Sequence, residues 1–317
     1  MELSQDILDR IQKLKEKYDN MGQDLVSYLD GLLYSEYLTY WDYIHLDTLL
    51  SLQNPRTAFP DENIFIMYHQ VTELYFKMIL SECDQICAKA NITEKFFHER
   101  MTRINRYFEL LTNSFDVMVD GMEKEQFLKY RMALLPASGF QSAQYRMIEI
   151  FATDFINLVD KDVREDFKKE KFDADKFLAN IYWKHGATEL STGKKTLTLL
   201  QFEEKYLSTF SKLANERYEN NIYTVYKKLN SVSTEIKEDL RRFDINVNVN
   251  WPLVHYKSAV RYLHKDPADI KATGGTNWQK YLPPRFQKRI FYPELWNSQE
   301  IEEWGKAWVE NTLKEQK

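Results

Sequence analysis

The stretch "ENIFIMYHQVTEL", Glu62 to Leu74, decides the fold. Its apolar residues recur at helical spacing, the signature of a helix entering a core. Pro60-Asp61-Glu62 opens that helix, with Asp61 read as the N-cap and both acids complementing the helix dipole. The periodicity carries on to about Ala90. Phe65, His69, Thr72 and Phe76 fall on one face by i, i+3, i+4 geometry, so a titratable imidazole stands among apolar neighbours.

Outward from this stretch the helical period dominates. Leu46, Leu49, Leu50 and Gln53 give a short helix stopped by Asn54-Pro55. Further helices are expected over Glu94–Met118, Phe127–Leu135, a segment after "LPASGFQSAQYR" to about Leu158, Leu199–Leu229 and Ser233–Phe243. "NWPLVHYKSAVRYLH" reads as a new helix with Pro252 in its first turn. Asn297 with Glu300 three residues on is a capping-box pattern. Strand alternation is almost absent, and nine glycines with eight prolines are too few for a sandwich or barrel. The fold class is all-α: a single large helical domain over residues 36–317, an N-terminal helical arm over 1–35, and a small variable insertion over 160–200.

Composition excludes several functions. Acids and bases are interspersed at a net charge of −5, with no basic face, so nucleic acid is not an expected partner. No apolar run approaches the ~20 residues of a membrane span. The charged N-terminus lacks a signal core, which points to the cytosol. The two cysteines, Cys83 and Cys87, lie one helical turn apart, poor geometry for a disulfide, and read as small core residues. HExxH, GxGxxG, GxxxxGK[ST] and GxSxG are all missing, which removes local support for zinc, nucleotide and serine-hydrolase chemistry.

Of six histidines, His98 falls in a charged stretch, His185 in the irregular region and His264 at a helix end; none suggests chemistry. His69 and His255 differ, because each sits on a helix among apolar residues. A buried neutral imidazole needs a hydrogen-bond partner or a metal. The pair is therefore either two satisfied core histidines or the two sides of a haem pocket between facing helices. Arg131, at the edge of an apolar run, suits a carboxylate clamp or a structural ion pair. The glycines of "KATGGTNW" give either a surface turn or a loop whose backbone approaches a ligand.

"LTYWDYIHLDTLLSLQ", "FIMYHQVTELYFK", "LPASGFQSAQYRMIE", "VHYKSAVR" and "KATGGT" occur in that order. Together they resemble the tryptophan 2,3-dioxygenase family, over roughly Thr39 to Trp296. The resemblance implies an all-α enzyme containing haem b that adds O2 across the C2–C3 bond of the L-tryptophan indole, giving N-formyl-L-kynurenine. It also implies a homotetramer in which N-terminal segments help complete a neighbour's pocket.

Residue by residue, the resemblance makes His255 the proximal ligand of haem iron and His69 the distal catalytic histidine at the indole N–H. It makes Phe65 the aromatic wall, Arg131 the partner of the substrate carboxylate, and Thr273 a contact at the ammonium and carboxylate end. Tyr40, Tyr43 and Ile44 match the segment given by the adjacent subunit, and Ser138 and Gly139 the loop near the haem edge. Phe127 stands where some members carry a tyrosine near the carboxylate. The loop "ATGGTNW" departs from the usual "GTGGSSG" at Ala272 and at Thr276-Asn277-Trp278. That change keeps two alternatives open: an enzyme of the same fold acting on a substituted tryptophan or other indole, and a non-catalytic haem-binding protein.

Overall fold

A computed structural model describes residues 3–35, 39–131, 141–185, 187–188, 194–230, 232–262, 284 and 288–305. The chain separates into two compact units, Met1–Asn54 and Pro55–Lys317. The first holds α1 (Gln5–Asn20), α2 (Leu25–Tyr34), α3 (Tyr40–Tyr43) and α4 (Leu46–Leu50). Asp24 caps α2 and Thr39 caps α3 through side-chain oxygens. No described residue of this unit is buried.

The second unit holds α5 (Asp61–Ala88), α6 (Glu94–Ser114), α7 (Asp116–Val119), α8 (Lys124–Arg131), α9 (Ala143–Ala152), α10 (Arg164–Phe167), α11 (Ala174–Ala179), α12 (Tyr182–His185), α13 (Leu197–Arg217), α14 (Ile222–Lys227), α15 (Thr234–Ile245), α16 (Trp251–Tyr262) and α17 (Ser298–Glu302). Among the described residues there is no strand, only two isolated bridges, Val159 with Ile181 and Thr188 with Lys195. The fold is all-α.

α5 is the centre of this unit and packs against α6 and α9, while α15 lies on the far side of α6. Phe76 shows why. Its ring meets Phe108 of α6 at 6.2 Å, Tyr145 of α9 at 5.5 Å and Trp251 of α16 at 5.7 Å, and Phe108 in turn meets Phe243 of α15 at 5.8 Å. These rings stand at the helical spacing that gives each helix its apolar stripe. The entry to α5 is fixed by Glu62, whose buried carboxylate accepts from the Arg56 and Thr57 amides and the Thr57 hydroxyl. Both cysteines are buried and free.

Several boundaries differ from the sequence reading. Pro60, not Asp61, occupies the N-cap of α5, and the Asp61 carboxylate accepts the Glu123 amide at 2.6 Å instead. The long helix expected over Leu199–Leu229 breaks after Arg217 and restarts from an Asn221 capping box. The described part of 160–200 holds three short helices, α10 to α12, and the first residues of α13. α16 begins at Trp251 with Pro252 in its first turn, as expected, but it is not separate: α15 runs into it through a π-turn, Asn246–Asn250. The Asn297–Glu300 capping box is present.

Candidate functional site

On α5, the His69 Nδ1–H donates to the Phe65 carbonyl one turn back, at 2.7 Å. On α16, the His255 Nδ1–H donates to the Trp251 carbonyl one turn back, at 2.8 Å. With each Nδ1 committed as donor, each ring keeps its lone pair at Nε2. Burial pushes the His69 pKa down, against the Phe65 hydrogen bond and the Glu73 charge. Burial likewise pushes the His255 pKa down to about 4, against the Trp251 hydrogen bond, and a charge on His69 depresses it further. The two imidazoles are thus within electrostatic reach of each other.

Yet His69 is exposed and His255 only partly buried by surface area. Solvent reaches both rings while surrounding protein desolvates them, as at a recess open to solvent. The walls of the recess are aromatic. Phe65 lies 4.1 Å from the His69 ring, with Tyr130 at 5.9 Å and Phe127 at 6.4 Å from Phe65. On the other side Phe115 and Trp251 stand 4.4 and 4.5 Å from the His255 ring. Tyr68 joins the two sides, 6.3 Å from His69 and 5.7 Å from Phe115. α8 brings Arg131 to the Phe127 ring, guanidinium to centroid 5.8 Å, and Phe127 packs on Tyr262 at 4.5 Å.

Phe65, His69, Phe127, Arg131 and His255 therefore come together in the second unit. Tyr40, Tyr43 and Ile44 lie in the first, on and just after α3, with Tyr40 71% and Tyr43 72% exposed. Ser138, Gly139, Thr273 and the loop Ala272–Trp278 lie outside the described residues, as does His264. Two other polar side chains of the "GFQSAQYR" segment are structural: Gln144 donates to Glu73, and Arg146 pairs with Glu149 at 2.9 Å. Phe115, Trp251 and Tyr130 join the site without being among the residues that the sequence singles out. Trp251 carried a signal, one turn before His255; Phe115, at a helix end, carried none.

The sequence model of the family described as tryptophan 2,3-dioxygenase matches residues 31–251. The chain belongs to the tryptophan 2,3-dioxygenase family. A protein named tryptophan 2,3-dioxygenase from Herpetosiphon aurantiacus is 30% identical over 274 residues, covering 83% of this chain and 97% of its own. One of the same name from Bacillus thuringiensis subsp. konkukian is 26% identical over 296 residues, covering 83% and 92%. A third, from Ruegeria sp., is 37% identical over 133 residues, 41% of this chain and 45% of its own. His255 lies just beyond the span that the tryptophan 2,3-dioxygenase family model matches.

The donor chemistry at His255 fits a haem-iron ligand: a neutral imidazole, its Nδ1 tied to a carbonyl, its Nε2 without a hydrogen-bond partner among the described residues, its ring against Phe115 and Trp251.

Proposed function

We propose that the chain is an oxidoreductase that opens the indole ring of L-tryptophan with O2 to give N-formyl-L-kynurenine, both oxygen atoms entering as the C2–C3 bond breaks. One observation supports this reading beyond family membership: two neutral histidines are linked through the rings of Tyr68 and Phe115, with Phe65 against one of them and Arg131 over Phe127 nearby. His255 is the ligand for haem b, which when bound supplies the activation of O2.

The remaining roles belong to the side chains. Phe65 and Phe127 offer flat apolar surfaces to an indole. His69, its Nδ1 fixed by the Phe65 carbonyl, offers Nε2 to the indole N–H, as acceptor of a hydrogen bond or of the proton. Arg131 pairs with the carboxylate of the amino acid, a charge that an apolar recess would otherwise reject. The family resemblance assigns Thr273 to the amino-acid end of the substrate and Ser138 and Gly139 to the haem. The test adds tryptophan and O2 to the reduced, haem-loaded protein. The N-formylkynurenine absorbance band is expected to grow; turnover of a substituted indole in its place would favour the other substrate, and no turnover of either a binding protein.

The first unit acts in assembly. Leu32, Leu33 and Tyr34 are 71%, 73% and 81% exposed, an apolar surface of the kind that marks an interface. It docks on other copies of the chain, as a homotetramer requires, and brings Tyr40, Tyr43 and Ile44 to a neighbour's pocket. No described helix is long and apolar enough to cross a membrane, and the enzyme works in the cytosol.

A further inference from the structure

Between the two candidate pocket helices there is one structural asymmetry. α5 is regular throughout, whereas α15 and α16 form one rod interrupted by the π-turn Asn246–Asn250, just ahead of His255. π-turns are rare and need support from outside the helix. Pro252 supplies part of the cause. In the i→i+5 pattern the Val247 carbonyl would receive the N–H of residue 252, and proline has none.

That carbonyl is not left empty. It accepts the Tyr145 hydroxyl at 2.8 Å and Arg289 Nη2 at 3.1 Å, and Val247 is fully buried. Arg289 is fixed in turn. Its Nε donates to the Asn248 side chain within the π-turn, its Nη1 to Glu149, and its Nη2 also to the Tyr145 hydroxyl at 3.0 Å. Asn248 donates to Asp244 at 2.6 Å. Asp244 also accepts the Phe291 and Tyr292 amides and the Trp296 indole N–H, at 2.9, 3.1 and 3.0 Å, which ties the 289–296 segment to the rod. Glu149 and Asp244 are fully buried and Arg289 is 4% exposed, so none of these bonds competes with bulk water.

A π-turn spends about one more residue per turn than an α-turn. Converting it to regular helix would rotate everything downstream by about one residue's step, ~100°. His255, one turn further on, would leave the wall made by Phe115.

We propose that Arg289 and Tyr145 are positioning residues for His255: by filling the carbonyl that Pro252 cannot serve, they hold the π-turn that aims the imidazole into the recess. This rests on the reading of His255 as the haem ligand, and the test separates the two. The full-length apoprotein is titrated with hemin, and the ferrous form is examined for its iron–histidine stretching band by resonance Raman. Circular dichroism and Tm report the fold. Tyr145→Phe and Arg289→Lys are each expected to bind hemin about tenfold more weakly than the parent and to shift the iron–histidine band. Pro252→Ala, which restores an N–H and lets the turn relax, is expected to shift the band while Tm holds or rises. A merely structural role would lower Tm and leave the band unmoved. If Arg289→Lys does not fold, Tyr145→Phe and Pro252→Ala decide. Folded variants with the parent's affinity and an unshifted band overturn the proposal. Full hemin retention by His255→Ala overturns the ligand reading instead.

Discussion

His69 and His255 use the same local device, an Nδ1–H given to the carbonyl one turn back, but their helices are held in different ways. α5 is a regular 28-residue helix, set by rings packed on its apolar face and by polar ties at Asp61, Glu62 and Glu73 on its surface. The rod carrying His255 depends on buried polar groups that converge from α9 and the 289–296 segment. A site can thus rest half on an unbroken helix and half on a break in a helix that distant chain supports. That second half is where single substitutions act at a distance.

The largest expected effect follows directly. Asp244→Ala leaves four donors without their acceptor, those of Asn248, Phe291, Tyr292 and Trp296. The loss should be about 3–5 kcal/mol, read as a lower denaturation midpoint. On the α5 side the matching change is Thr72→Val, which removes only a hydroxyl bonded to the Tyr68 carbonyl at 2.9 Å within the helix. Equal losses for the two variants would erase the contrast between the helices.

Next comes Arg131→Ala. Removing a desolvated charge partner costs ~2–5 kcal/mol of binding, so the KM for tryptophan should rise about 30-fold or more with haem content intact. An unchanged KM contradicts the clamp.

A smaller effect is set by pH. Burial holds His255 at about 4 in the folded chain against 6.5 when unfolded, so on acidification the unfolded state takes up its proton first. Apoprotein stability relative to a His255→Gln variant is thus full above pH 6.5 and falls as pH drops toward 4, by about 3 kcal/mol at most. Denaturant midpoints for both proteins at pH 7 and pH 4.5 measure it, and a constant difference would place the ring in solvent. Smallest is the Thr72→Val loss itself, about 1 kcal/mol or less.

The same contrast explains what was legible in the sequence. The face of α5, with Phe65, His69, Thr72 and Phe76, follows from spacing alone because the helix is regular. The capping box at Asn297 is likewise local and reads off directly. Asp61 has the residue type of a cap, but its carboxylate serves the Glu123 amide, a partner 62 residues away in sequence. The break in the expected Leu199–Leu229 helix follows the capping box at Asn221 and Thr224, which sequence pattern could have supplied. Pro252 read as a helix start because a proline inside a helix normally breaks it. The donors that let the rod continue, Tyr145 and Arg289, come from elsewhere in the chain, and no local period reveals them. His255 itself was visible as an imidazole on an apolar face; what aims it was not.

In the function proposed above, the two histidines do different work in one pocket, one holding iron and one meeting substrate. Hemin titration of the full-length apoprotein, comparing His255→Ala with His69→Ala, tests it most directly. His255→Ala is expected to lose stoichiometric haem and His69→Ala to keep it. Equal retention by both, or loss with His69→Ala alone, would contradict it.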